Sequence, residues 1–254
     1  MTASPAGPAA AGEPELAGQT VVVIGGSAGI GLETARRARA EGAEVILTAR
    51  NTDRLEQAAA EVGAQRTVAF DVTDPAALAR FFAGLPGQID HVMVTGPGPY
   101  YAPLPDLDRD RTLRDLDIHV WLHIAIAQHA VGRVRPGGTL LFMGGTGGRS
   151  RGPGLSVIAA VTAAQPALVA NLAVEVAPIR VNLIAAGFVD TPLSAALLGD
   201  ELDKRREQLR ATLPIRRVVG PADIAALAVH IMTNTALTGG TYDIDGGQQL
   251  VASG

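Results

Sequence analysis

The chain has 254 residues, a formal net charge of −4 and no cysteine. Disulfides and thiolate catalysis are therefore excluded, and the lack of a basic cluster argues against nucleic acid or an anionic membrane as a principal partner. The length suits a single α/β domain with a large core.

Residues 1–17 are rich in alanine, proline and glycine, with no basic segment and no sustained apolar run. They are expected to form a disordered tail ahead of a domain over 18–254. No apolar run is read as approaching transmembrane length, so a cytoplasmic protein without a membrane partner is expected.

The stretch from Thr20 to Asn51 organises the rest. Val21, Val22, Val23 and Ile24 form a β-branched run suited to a strand buried on both faces. Gly25, Gly29 and Gly31 follow at spacing G-x-x-x-G-x-G, then a helix through Thr34 to Ala40, a stop at Gly42 and a second strand from Glu44 to Thr48. The glycines turn the chain out of the strand, let a phosphate approach the backbone and let the helix pack closely on the sheet. Free N–H groups and the positive end of the helix point at one place. A dinucleotide pyrophosphate is expected there, the alternative being a tight turn with only a structural role.

NAD-selective sites carry a carboxylate at the end of the second strand, where it accepts from the ribose diol. Here Ala49 and Arg50 stand at that place. An arginine forms charge-assisted hydrogen bonds with a 2′-phosphate, so NADP(H) is expected over NAD(H). The other reading of Arg50 is a solvated surface charge.

A helix over Asp53 to Val62 and a third strand over Arg66 to Phe70 lead to Asp71 and Val72, which suit an adenine amine; Asp71 serves equally as a cap or turn residue. Asp74 and Pro75 begin the next helix. The fourth strand, Ile89 to Thr95, runs into Gly96-Pro97-Gly98-Pro99-Tyr100-Tyr101, at the strand ends where ligands bind in open α/β sheets. Tyr100 and Tyr101 are candidates for a pocket wall or for packing on a proline-rich loop. A long helix over Thr112 to Val131 carries His119 and His123 at i and i+4. With no HExxH motif and no clustered carboxylate partner, a polar helix face at a subunit contact is expected, and no metal.

Gly138 to Met143 makes the fifth strand, followed by the glycine-rich loop Gly144 to Arg149. An alanine-rich helix over Pro153 to Ala177, broken or kinked at Pro166, precedes a sixth strand from Ile179 to Ile184. A helix-rich stretch to about Leu213, a helix from Ala222 to Met232, and a strand from Thr241 to Ile244 complete the chain, with Asp245-Gly246-Gly247 turning after it. Strands alternating with helices imply an α/β fold with a parallel sheet covered on both faces.

With these motifs in order, the chain resembles the classical short-chain dehydrogenase/reductase family over residues 18 to 250. The resemblance rests on Gly25-x-x-x-Gly29-Ile30-Gly31, Asp71-Val72, the turn at Val94 to Pro97, Arg180-Val181-Asn182 with Gly187 and Thr191 after it, and Asp245-Gly246-Gly247. It implies a single doubly wound Rossmann domain, seven parallel strands in the order 3-2-1-4-5-6-7, a nicotinamide cofactor, and a homodimer or homotetramer built on the fourth and fifth helices. It places cofactor contacts on Gly25, Ser27, Gly29, Ile30, Gly31, Arg50, Asn51, Asp71, Val72, Thr95, Gly96, Gly187, Val189 and Thr191. Two departures touch that site. Ile24 replaces the usual threonine, and Val94-Thr95-Gly96-Pro97 replaces the usual Asn-Asn-Ala-Gly.

The family's catalytic serine, tyrosine, lysine and asparagine align with Gly145, Ile158, Thr162 and His119. No Tyr-x-x-x-Lys lies elsewhere, because the only lysine is Lys204. Hydride addition to a carbonyl develops an alkoxide that takes a proton from a nearby acid, and losing that acid typically costs about 10² to 10⁴ in rate. The resemblance therefore implies an atypical NADP(H)-dependent oxidoreductase acting on an unidentified small molecule, with Tyr100, Tyr101 or His119 as replacement proton donors. The alternative is a non-catalytic NADP(H)-binding or redox-sensing module.

Overall fold

The central strands are buried at nearly every position, and their successive side chains alternate between two apolar layers. The computed structural model describes residues 15–96 and 98–251. Its strands are β1 (Thr20–Ile24), β2 (Glu44–Ala49), β3 (Arg66–Ala69), β4 (Ile89–Val94), β5 (Val134–Gly145), β6 (Arg180–Ala186) and β7 (Thr241–Ile244). They form one seven-stranded sheet in the order β3-β2-β1-β4-β5-β6-β7, and every pairing is parallel. This is the doubly wound α/β architecture that the resemblance implies.

Val22 and Ile24 of β1 face one layer with Val92, Leu140 and Phe142, while Val21 and Val23 face the other with Val45, Leu47 and Leu141. On the first face pack α3 (Pro75–Ala83), α5 (Leu122–Ala130) and α6 (Ser156–Glu175), through Phe82, Ile126 and Val169. On the second pack α1 (Gly29–Ala40), α2 (Thr52–Val62) and α9 (Pro221–Thr233), through Ala35, Leu55 and Ile224. Each fully buried aliphatic side chain contributes roughly 1.5–3 kcal/mol, so these two layers dominate the stability of the fold.

Caps fix the helix starts. Asp74 Oδ1 accepts from the N–H groups of Ala76 and Ala77 at the head of α3, as the Asp74-Pro75 pair foretells. Asp108 Oδ1 accepts from Arg111 N at 2.8 Å and begins α4 (Arg109–Leu116) three residues earlier than expected. From α4 the chain continues without a break through a π-helical turn at Asp117–Trp121 into α5. The remaining helices are α7 (Pro192–Leu198) and α8 (Leu202–Thr212); on α8, Lys204 is exposed beside Glu201 and Arg206 holds Asp190 with two bonds of 2.8 and 2.9 Å.

Three expectations change. The tail expected over 1–17 falls for residues 1–14 outside the described residues, while Leu16 is fully buried in the second layer and its N–H donates to Glu41 O. The domain thus begins before residue 18. Of the break or kink expected at Pro166, the break does not occur: helix α6 runs through it. It is also, against the reading of the sequence, long and apolar enough to cross a membrane by length and composition, at a mean hydropathy of 1.8. Its Val161, Val169 and Leu172 are instead buried, Val169 and Leu172 in the first apolar layer.

Candidate functional site

The order of the sheet reverses between β1 and β4, and the loops leaving their carboxyl ends diverge there to open a crevice. A cleft of about 480 Å³ occupies this place. Gly25, Ser27, Gly29, Ile30, Gly31, Arg50, Asn51, Asp71, Val72, Thr95, Gly96 and Thr191 all line it, joined by Thr48, Arg54, Arg114 and Ile118.

The glycine loop fits tightly against its surroundings. Gly25 adopts φ +87°, and a Cβ there would lie 2.6 Å from Thr95 O and closer still to its hydroxyl. A Cβ on Gly31 would lie within 3.1 Å of Thr95 Oγ1 and would overlap Gly25 O. Thr95 closes this corner itself, since its hydroxyl reaches Ile24 O and Gly25 O at 3.0 and 3.1 Å. Helix α1 starts with Ala28 as its cap residue, and no side chain caps it. No acidic residue stands in its first turn. Its leading N–H groups and positive dipole end are therefore available to an anion, as a pyrophosphate needs.

At the end of the cleft beside β2 and α2, Asn51 caps α2 by accepting from Arg54 N at 2.9 Å. Asp71 Oδ1 accepts from both the N–H and the hydroxyl of Thr73, at 2.9 and 2.8 Å, so the turn role of Asp71 is realised. Burial of Asp71 works to raise its pKa, but the Thr73 hydrogen bonds and the nearby Arg50 charge outweigh it and hold the carboxyl below its ordinary value. Asp71 is the only acidic residue lining the cleft among the described residues, against Arg50, Arg54 and Arg114.

Two expected contacts lie elsewhere. Gly187 packs under the turn after β7, where a Cβ would meet Asp245 Cβ at 2.6 Å and Gln248 Oε1 at 2.7 Å. Val189 is buried, bridges to Val219 and accepts a hydrogen bond from Ser194 Oγ. Neither lines the cleft; both set the course of the segment that delivers Thr191, whose methyl carbon lies 3.6 Å from where a Gly29 Cβ would be.

The positions aligned with the catalytic serine, tyrosine and lysine do converge. A Cβ on Gly145 would sit 3.5 Å from Thr162 Cγ2, and Thr162 Oγ1 donates to Ile158 O at 2.6 Å. That hydroxyl proton is committed to its own helix. Arg149 fastens the end of this loop to the edge strand through Asp243, at 2.7 and 2.5 Å.

His119 sits in the π turn, and its carbonyl accepts from Gln165 Nε2 at 3.3 Å. Its Nδ1 lies 2.9 Å from Asp115 O and 3.4 Å from Asp115 Oδ1. Burial alone would lower the His119 pKa, but the hydrogen bonds and charge of Asp115 prevail and the net direction is upward. The Asp115 carboxylate is buried, with Oδ1 accepting from Tyr100 N and Oδ2 lacking a partner among the described residues. Tyr100 packs with Ala102 and Val157, its hydroxyl accepts from Asp108 N, and Arg111 lies over its ring at 4.4 Å. Tyr101 is half exposed, and burial of its phenol, then Asp115, raise its pKa. His119, Tyr100 and Tyr101 thus gather around Asp115, beside the cleft and not in its lining.

His123 departs from the expected polar face. It is buried against Phe142, ring centroids 4.3 Å apart. Arg54, Arg114 and Ile118 are cleft residues that the sequence reading did not single out. Arg54 was within reach of it, four residues beyond Arg50 in the first turn of α2; Arg114 and Ile118 carry no local signal.

Comparison with known proteins adds the lineage. Residues 25–249 match the family described as Enoyl-(Acyl carrier protein) reductase. The chain is 30% identical to Dehydrogenase/reductase SDR family member 4 of Pongo abelii, over 91% of this chain and 88% of that protein. It is 28% identical to Short-chain dehydrogenase/reductase ATR9 of Stachybotrys chlorohalonatus, over 93% of this chain and 99% of that protein. Among solved structures, BdcA in complex with NADPH superposes with a TM-score of 0.81 at 26% identity, covering 91% of this chain and 95% of that one.

Proposed function

The chain belongs to the short-chain dehydrogenase/reductase family, and we propose that it is an atypical member, an NADP(H)-dependent oxidoreductase working between a carbonyl and an alcohol without a Tyr-x-x-x-Lys pair. The observation that carries the proposal is the cleft at the uncapped start of α1, with Arg50 at its adenosine end. The NADPH bound to the similar BdcA supports the choice of cofactor class.

When bound, the nicotinamide supplies or accepts the hydride. The backbone from Gly25 to Gly31 receives the pyrophosphate, Arg50 the 2′-phosphate, and Asp71 and Val72 the adenine edge. Thr191 and Gly96 border the same cleft further along. His119 is the proposed proton carrier: its Nδ1 is turned to Asp115, which leaves Nε2 as the atom that exchanges a proton. Tyr100 is committed to packing, and Tyr101 is the second candidate donor.

The same proposal has the protein acting in the cytoplasm as a homodimer or homotetramer. In support, Leu113, Leu116 and Trp121 on the α4 to α5 segment and Val174 on α6 are exposed apolar side chains, which association would cover. Size-exclusion chromatography with light scattering tests this.

Calorimetric titration with NADPH and NADH, followed by NADPH oxidation across a panel of carbonyl compounds, tests the activity. Tight NADPH binding with slow turnover is expected. Tight binding with no turnover on any substrate would leave a redox-sensing module in its place.

A further inference from the structure

Three arginines, Arg50, Arg54 and Arg114, line one cleft whose only acidic residue among those described is Asp71. None of the three has an acidic partner among the ion pairs of the described residues. For Arg114 this is a choice of direction. Asp110 stands four residues before it on α4 and Asp117 three residues after it, both spacings that bring side chains together on a helix. Yet Asp110 pairs with Arg109 at 3.7 Å, and Arg114 lines the cleft with Ile118, one turn further along the same face.

Three guanidinium groups sharing a cleft with one carboxylate, Asp71 near Arg50, leave an excess of positive charge that a bound anion relieves. The start of α1 already answers a pyrophosphate, so the arginines are in excess of what a dinucleotide without a further phosphate requires. Arg50 and Arg54 belong to the exit of β2 and the first turn of α2, whereas Arg114 comes from α4, on the other side of the sheet.

We propose that Arg114 is a specificity-determining residue, the opposite jaw of a clamp that Arg50 and Arg54 form on the 2′-phosphate of NADP(H). The inference rests on the dinucleotide reading of the cleft. Ile118 supplies apolar surface to the base while Arg114, one turn nearer the solvent, meets the dianion. Three guanidinium groups reaching one phosphate from two walls hold it in a fixed orientation, which a single arginine does not.

The test uses two nucleotide fragments and the full chain. Adenosine 2′,5′-bisphosphate and adenosine 5′-monophosphate are titrated by calorimetry into the wild type, Arg114→Gln and Arg114→Lys. Loss of one charge-assisted contact is expected to weaken the bisphosphate about tenfold or more in Arg114→Gln. Arg114→Lys should recover part of that loss, and monophosphate binding should stay the same in all three, which also shows the cleft intact. An equal fall for both fragments would assign Arg114 to the base or the 5′-phosphate and overturn the clamp. An unchanged bisphosphate affinity in Arg114→Gln overturns it as well. If the wild type binds neither fragment, the dinucleotide reading itself fails, an outcome distinct from retained binding that ignores residue 114.

Discussion

The hydroxyl of Thr95 lies 3.1 Å from the carbonyl oxygen of Gly25, across the gap where the sheet reverses its order. This contact leaves no room for a side chain on residue 25, which also holds φ +87°. Gly25→Ala is expected to lose roughly 1–3 kcal/mol of stability through strain and overlap. It should also weaken NADPH by at least about tenfold as the loop shifts. Urea denaturation and calorimetry on the same preparation measure both effects.

On the proposed reading, Arg50 discriminates between the two cofactors by charge. Arg50→Asp replaces an attraction for the 2′-phosphate by repulsion, so NADPH should weaken about tenfold or more while NADH holds or tightens. A parallel loss of both would show that residue 50 contacts something the two cofactors share.

The buried histidines set an acid limit. Burial lowers the pKa of His123 to about 3, helped by the charge of His119, and burial with Arg180 and Arg135 lowers that of His91 to about 3. Each is neutral when folded and takes up a proton once unfolded below the ordinary value of 6.5. Stability is then fully present above pH 6.5 and lost as the pH falls toward 3, at about 1.4 kcal/mol per pH unit for each histidine. Replacing His123 by Phe should remove one share of that slope in denaturation measured against pH.

His119 has the opposite sign. Its raised pKa means that its contribution is complete below 6.5 and is lost as the pH rises through the folded value. His119→Asn should abolish that alkaline decline, and Asp115→Asn should bring the imidazole titration, followed by NMR, back down. If His119 carries the proton in turnover, the alkaline limb of the rate profile should move with it.

Arg180 stabilises the far end of the molecule. Its guanidinium is buried and donates to the carbonyls of Gly137, Ile231, Met232, Asn234 and Leu237 at 2.7 to 3.1 Å. Arg180→Leu leaves several of those oxygens without a donor and is expected to cost more than about 3 kcal/mol. Lysine should restore only part, because it lacks the planar fork. Cofactor affinity of the folded fraction should stay the same.

Sequence spacing reveals backbone constraint better than it reveals convergence of distant elements. Gly25, Gly29 and Gly31 are legible because only glycine tolerates their positions, and the strand order follows from motifs that keep their sequence order. Arg114 on α4 and Ile118 in the π turn after it join the cleft only in the folded chain, and no local pattern announces that convergence. His119 and His123 look like one helical face at i and i+4. The π turn at Asp117–Trp121 lies between the two helices and winds more residues per turn, so His123 rotates into the core. Helix α6 has the hydropathy of a membrane span in its alanines and valines, while Val169 and Leu172 pack into the first apolar layer and Val161 is buried. Leu16 escaped notice because a single leucine in a proline- and alanine-rich stretch has no periodicity.

Lys204 is the sole lysine of the chain and stands exposed on α8, two residues from the Arg206 that holds Asp190. Besides the amino terminus, an amine-directed fluorophore has one side chain to react with. The protein thus carries one side-chain address for a dye, on α8, the helix after the one that the cleft-lining Thr191 caps. With the amino-terminal amine blocked, emission from that dye during a nucleotide titration would report directly on movement of this flank, with no cysteine to introduce.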